Sequence, residues 1–405
     1  MTPTATASRA RLAFVLGALA MFGPFSIDTV FPAFGAMARD LGSTPLAVQQ
    51  TISSYLLGYG LMSLFHGAIS DAVGRRPVIL WGIALFGLAS VGCALSTDLT
   101  TLLAFRFVQG LCAGVGMIVG RAVIRDLFDG EEAQRLMSQV SMIFSIAPAI
   151  APIVGGWILG FGDWHAIFWF LAVLSLVLGA LVWRVLPETH PPERRLPLHA
   201  GLLLGNYVAM VQHRRFVWLV AVTTMNFAAL FLYIASAPVV VMTHLGMGEA
   251  DFGWFFVPVI SGMLAGAWVS GRAAGRFEAR TMVRVGFACC LLAATVNLGY
   301  AAVAPAYAYP WAILPLMLLS FGIALVFPQL MLQLLDLYPT QRGSASSMQA
   351  FLSLMFQAGV AGLLSPMLSA RPLSLALAAA VLSVSAFGLW RWGDAHLMRR
   401  DVAPA

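Results

Sequence analysis

The sequence predicts an all-α membrane protein of twelve transmembrane helices in two six-helix halves, and three observations lead there. Hydrophobic residues fill 60% of the 405 positions against 10% charged, with a mean hydropathy of +0.87, a balance that cannot supply a solvated surface around a water-soluble core. The apolar residues gather in long runs, and at roughly 20 residues per span the length accommodates about twelve crossings. The arginines fall almost entirely on one side of those runs.

Taken in order, Arg9 and Arg11 precede an apolar run over about 12–34. Its start is one that a signal peptide shares, but the run is too long for a cleaved apolar core. Further runs near 46–67, 77–96, 99–121, 136–161 and 165–186 complete a first set of six. The stretch Pro187-Glu-Thr-His-Pro-Pro-Glu-Arg-Arg195-Leu-Pro is charged, proline-rich and close to the chain midpoint, so it cannot be a span. The expected division is an amino-terminal half over 1–186, a cytoplasmic linker over 187–215 and a carboxy-terminal half over 216–405. Six more runs follow near 216–242, 252–275, 282–304, 309–335, 343–369 and 372–392.

All 23 basic residues are arginine. With a cytoplasmic amino terminus, only Arg39 and Arg371 reach the opposite face and Arg106 lies inside a span; every other arginine faces the cytoplasm. This asymmetry places both termini and the linker in the cytoplasm. A net charge of +6 in a soluble chain would suggest nucleic acid. Here the arginines sit in short loops at membrane lipid, so no nucleic-acid partner is expected. Cys93, Cys112, Cys289 and Cys290 all fall within apolar runs without metal spacing, so no metal site and no redox chemistry is expected. A shift of 204 residues lays Gly67 on Gly271 and Arg76 on Arg280, a weak internal repeat that places a binding site between the halves near mid-membrane.

Four stretches carry candidate chemistry. Gly67-Ala-Ile-Ser-Asp71-Ala-Val-Gly74-Arg75-Arg76-Pro77 reads as a tight, charged glycine turn at the membrane face. In span four, Arg106 is a cation at depth that must face the bundle interior, and Gln109, three residues on, shares its helical face. In span one, Asp28 is the acid of its run, just ahead of Pro32. Helix rise puts Asp28 and Arg106 about 9 and 10 Å below the outer ends of their spans, at similar depth. Burial favours a neutral Asp28 and an adjacent Arg106 favours a charged one, and both a proton-exchanging carboxylate and a static pair bracing the Pro32 break fit the sequence. In span five, Pro148, Pro152, Gly155 and Gly156 bend the helix and permit close packing. In the second half, Asn226, Phe227, Phe231 and Tyr233 of span seven, Trp254 and Trp268 of span eight, and Gln329, Gln333, Gln349 and Gln357 of spans ten and eleven are candidates either for an amphipathic cavity or for ordinary helix packing. Asp336 and Arg342 are expected as a solvated pair.

The stretch from Gly67 to Arg76 resembles the signature loop of the major facilitator superfamily, Gly-x-x-x-Asp-x-x-Gly-Arg-Arg/Lys, at every fixed position and in the right place after span two. The resemblance implies the major facilitator fold and a conformational latch in which Gly67, Asp71, Gly74, Arg75 and Arg76 help hold the cytoplasmic ends of the halves together. Arg106 ahead of Gln109-Gly110 is similar to a second family motif, which implies a part in proton coupling with Asp28. Ala147-Pro148-Ala-Ile-Ala151-Pro152-Ile-Val-Gly155-Gly156 is similar to the antiporter motif of the family's drug exporters, with Ala151 in place of a glycine. Together with Asp28 to Pro32, with Arg121-Ala-Val-Ile-Arg125-Asp126 and with Gly343-Ser-Ala-Ser-Ser347, it resembles the bicyclomycin and chloramphenicol resistance branch of drug:proton antiporters.

The resemblance implies a monomeric exporter of the bacterial inner membrane, moving small lipophilic molecules out of the cytoplasm in exchange for protons, with the proton gradient in place of a cofactor. The cavity residues then hold substrate by aromatic area with little directional bonding, with Asp28 and Gln109 among them. A permease for a specific metabolite uses the same fold and is the alternative. A membrane-embedded enzyme calls for clustered acids or a histidine-rich loop, which the sequence lacks.

Overall fold

The computed structural model describes residues 3–195, 199–273, 275–304 and 307–397. Residues 196–198 of the expected linker, and Arg399 and Arg400, lie outside the described residues. Among the described residues every regular element is helical. Eleven helical segments among the described residues are long and apolar enough to cross a bilayer. Span two is a further helical stretch, divided at Leu64–Phe65 into two shorter helices, Gln50–Ser63 and His66–Val73.

The first unit, Met1–Ala200, holds spans one to six. Span one runs as a helix over Pro3–Asp28, breaks at Thr29 and Val30, tightens into a 3-10 turn over Phe31–Ala33 around Pro32, and resumes over Phe34–Asp40. Span three is Arg75–Ala94, span four is Leu99–Ala113 and Val115–Leu127 joined at Gly114, span five is Gly130–Phe161 and span six is His165–Val185. Helix ends are set locally. Asp98 accepts from the Thr101 amide at 2.9 Å and starts span four, and Thr44 accepts from the Ala47 amide at 3.2 Å ahead of Pro45. Span one packs on span five, span two on span four, and span three on spans four and six.

The second unit, Gly201–Ala405, repeats this plan. Its spans are Arg214–Ala235 with a π-helical turn over Val239–His244, Phe252–Ala273, Ala279–Val303, Leu314–Asp336, Arg342–Gly359 continued by a π-helical turn over Val360–Leu364, and Pro372–His396. Span eight packs on span ten, and span nine on spans ten and twelve, the pairings of the first unit shifted by six spans. The stretch expected as a linker contains a helix, Ala200–Gln212.

Large apolar side chains such as Leu88, Leu176 and Met367 point outward, the reverse of a soluble protein and the surface that lipid covers. With lipid as apolar as leucine, the helices are held by close packing and by hydroxyls that cross between spans. Ser54 donates to the Leu103 carbonyl at 2.7 Å from span two to span four, and Ser320 donates to the Val259 carbonyl at 2.7 Å from span ten to span eight.

Candidate functional site

Arg106 is fully buried in the first unit, and span two, span three and span one each contribute to its surroundings. Its Nη1 donates to Gln109 Oε1 at 2.9 Å, one helical turn along the same face, and to the Ser26 carbonyl of span one at 3.3 Å. Gln109 Nε2 donates onward to Ser90 Oγ of span three at 2.7 Å, so both ends of this amide are committed. The guanidinium carbon lies 4.6 Å from the centre of the Tyr55 ring and 5.9 Å from that of Phe168, a cation–π setting that compensates part of the lost hydration. Tyr55 in turn is held by Ser26 and Gly23: its hydroxyl is 2.6 Å from Ser26 Oγ and donates to the Gly23 carbonyl at 2.9 Å. Arg106 Nε and Nη2 have no hydrogen-bond partner among the described residues.

Asp28 closes the first helix of span one and is only 6% exposed. Its carboxylate makes no ion pair and no hydrogen bond among the described residues. Of the two readings open in the sequence, the static Asp28–Arg106 pair is not formed: Arg106 Nη1 reaches the span one backbone at the Ser26 carbonyl, two positions before Asp28. The break after Asp28 is gripped by span five. A Cβ at Gly155 would stand 2.0 Å from the Thr29 carbonyl oxygen, so only glycine permits this approach. Gly156 and Pro152 are buried along the same helix and Pro148 is half-buried, while Ala151, the departure from the family pattern, is fully buried without needing a glycine's space.

The stretch read as a glycine turn is mostly helix. Gly67 to Val73 belong to the second helix of span two, and the turn is Gly74 alone, at φ +115°. Asp71 and Arg75 stand one turn apart across it and form an ion pair, which is how a charged stretch continues a helix to the membrane face. Arg75 Nε also donates to Asp126 Oδ2 at 3.1 Å, and its Nη1 to Ser70 Oγ at 2.6 Å. Thr189 donates to the same Asp126 oxygen at 2.9 Å. Glu188, just beyond span six, receives the backbone amides of Arg75 at 3.0 Å and Arg76 at 3.2 Å and so caps span three at its positive end. Arg76 Nη2 donates to the Trp183 carbonyl at 2.7 Å. These contacts tie spans two, three, four and six together within the first unit.

In the second unit the candidates separate. Tyr233 is fully buried and its hydroxyl accepts from Asn297 Nδ2 at 2.7 Å, so it braces spans seven and nine. Phe227 and Phe231 are half-buried and stacked, ring centres 6.2 Å apart. Asn226 and Gln357 are buried, Gln329 and Gln333 half-buried, and Gln349 donates to Ser353 Oγ at 3.0 Å. Trp254 and Trp268 face outward, the latter under Arg272, as interfacial aromatics do. Arg342 donates to Asp336 at 3.3 Å in an exposed pair. The residues sequence reasoning missed are Tyr55, Ser90 and Glu188. The first two are an aromatic and a hydroxyl inside apolar runs, where nothing local marks them. Glu188 was visible, but only as a charge in a linker.

The major facilitator superfamily model matches residues 14–366. A bicyclomycin resistance protein homolog of Haemophilus influenzae is 31% identical over 292 residues, 70% of this chain and 73% of the relative. Multidrug resistance protein D of Escherichia coli K12 is 31% identical over 346 residues, 83% of this chain and 84% of the relative. Among solved structures, a bacterial homolog of the human lysosomal transporter Spinster superposes with a TM-score of 0.76 at 14% identity, covering 100% of both chains. The unlike sequence makes that last match evidence of fold alone. The chain belongs to the major facilitator superfamily of membrane transporters, and within it resembles the bicyclomycin resistance branch.

Proposed function

We propose that the protein exports small lipophilic compounds from the cytoplasm in exchange for protons by alternating access. The relatives named for bicyclomycin and multidrug resistance support the substrate class. The observation that carries the proton coupling is Asp28, buried without a counterion at the break of span one. A carboxyl held there without a partner among the described residues is placed to exchange a proton when water or a cation reaches it. Arg106, held by Gln109 and the Ser26 carbonyl, keeps two nitrogens, Nε and Nη2, uncommitted among the described residues and is placed to modulate the exchange.

In this reading Pro148, Pro152, Gly155 and Gly156 let span five follow the movement of span one. Asp71 and Arg75, tied to Asp126 and Glu188, form a cytoplasmic corner of the first unit that serves as the conformational latch, with Gly67, Gly74 and Arg76 completing it. The division into halves at the 187–215 stretch and cytoplasmic termini belong to the same proposal and are supported by the arginine asymmetry, and residence in a bacterial inner membrane is supported by the bacterial relatives; a monomeric state completes the proposal. The proton gradient serves in place of any cofactor.

The experiment is reconstitution in proteoliposomes with a proton gradient and a panel of antibiotics, dyes and metabolites. Wild-type protein is expected to dissipate the gradient on addition of lipophilic drugs, and Asp28→Asn to abolish this while reaching the membrane at normal level. Unchanged efflux in that variant would sink the role of Asp28. Gradient dissipation by one metabolite and no drug would favour the permease alternative.

A further inference from the structure

We propose that Gln357 is a specificity-determining hydrogen-bonding residue that selects compounds presenting a donor next to an acceptor, as a lactam, imide or primary amide does. The proposal rests on the efflux reading for its setting and adds to it a directional contact.

Spans seven and eleven run side by side in the second unit and are joined by two hydroxyl pairs. Thr224 Oγ1 is 2.6 Å from Ser353 Oγ, and Ser236 Oγ is 2.6 Å from Ser365 Oγ, each pair separated by 129 residues in sequence. The identical separation fixes a parallel register. One turn beyond Ser353, Gln357 lies level with Ala228, one turn beyond Thr224. Gln349, Ser353 and Gln357 succeed one another at i+4 on the face that span seven meets. Gln349 spends its amide on Ser353, but Gln357 spends its amide on nothing: both Oε1 and Nε2 are buried and unpartnered among the described residues.

That is unusual. A buried carboxamide with neither end bonded costs more than an apolar side chain of the same shape, and a purely structural position gains nothing by keeping it. The neighbourhood fits a ligand edge. Ala228 is small, and the stacked, half-buried rings of Phe227 and Phe231 flank its level on span seven. Immediately after Gln357 the helix relaxes into the π-helical turn Val360–Leu364, a distortion that recurs at functional positions. An amide donates through Nε2–H and accepts at Oε1 from adjacent atoms, so its complement offers C=O beside N–H. The aromatic pair supplies the area that a lipophilic body needs.

The test uses the purified full-length protein in detergent and a matched pair, 3-phenylglutarimide and its N-methyl derivative, in which a methyl group replaces the donating hydrogen. Binding is followed by thermal shift. Wild-type protein is expected to prefer the imide by on the order of tenfold, the yield of one or two net hydrogen bonds. Gln357→Leu should fold with unchanged or higher stability and lose the preference, binding both compounds alike. Gln357→Glu, which keeps an accepting oxygen for the imide N–H but gives up the amide donors to its C=O, should keep the preference and bind both compounds more weakly. A preference unchanged in Gln357→Leu, or none in the wild type, overturns the proposal. Imide selectivity that depends on Gln357, with no gradient dissipation by any compound in proteoliposomes, overturns the efflux reading and upholds this site.

Discussion

Arg106 is bound to Gln109, not to Asp28: its Nη1 donates to Gln109 Oε1 at 2.9 Å, and no ion pair links it to the acid of span one. Residues in contact couple energetically and residues apart do not. A double-mutant cycle of Arg106→Gln with Gln109→Leu should therefore show a coupling of about 0.5–3 kcal/mol in detergent stability, whereas Arg106→Gln with Asp28→Asn should add within about 0.5 kcal/mol. Strong coupling in the second cycle would mean that the acid and the base pair in the resting protein.

Gly155 fixes the geometry around Asp28. Its α-carbon meets the span one backbone where the helix has just ended, and an added Cβ would stand 2.0 Å from the Thr29 carbonyl oxygen. Because that obstacle is backbone, it cannot swing aside. Gly155→Ala is expected to cost about 1–3 kcal/mol of stability by overpacking and to depress transport further than stability alone explains, since it wedges span one apart beside Asp28. Ala151→Gly, which restores the family's residue, should leave transport intact within about twofold, the effect of about 0.4 kcal/mol. Melting temperature and proteoliposome efflux of the two variants settle the comparison.

The fold was legible because the bilayer reduces it to length and polarity: a run of apolar residues must be a helix, and arginine marks the side. What remained hidden follows from the same uniformity. Span two is interrupted at Leu64–Phe65, and no proline or charge marks the interruption. The charged stretch after it was read as a loop because glycines permit a turn and the charges fall between two apolar runs, yet the helix runs on to Val73 beside the Asp71–Arg75 pair and leaves the turn to Gly74 alone. At the candidate site, sequence spacing linked Arg106 to Gln109, which share a helix. It could not link Arg106 to Tyr55 or Gln109 to Ser90, partners that come from other spans and carry no charge.

Glu188 is the structural partner of the signature stretch. Its carboxylate accepts the amides of Arg75 and Arg76, while Gly74, at φ +115°, leaves the room: a Cβ there would meet Glu188 Oε2 at 2.7 Å. Glu188→Ala removes a cap from span three and should cost about 0.5–2 kcal/mol. Gly74→Ala should cost more, since it adds backbone strain to the loss of space. If the corner also acts as the cytoplasmic latch, both variants lower efflux at a temperature where they remain folded. Thermal unfolding and transport measured on the same preparations separate the two effects.

Asp98 offers a pH test outside the membrane-spanning segments. It caps span four, accepting from the Thr101 hydroxyl at 2.6 Å and the Thr101 amide at 2.9 Å, and these bonds to its charged form hold its pKa below the ordinary 3.8. A depressed folded-state value means that the unfolded chain binds the proton more readily. The cap's contribution is therefore complete above pH 3.8 and is lost as pH falls through the lower folded value. Asp98→Asn keeps an accepting oxygen without the titration. The difference in melting temperature between wild type and Asp98→Asn should thus be constant from neutral pH down to about pH 5 and shrink below the ordinary carboxylate range. A difference that instead grew on acidification would show that the carboxylate is more basic in the folded protein than free in water, contrary to its hydrogen bonds.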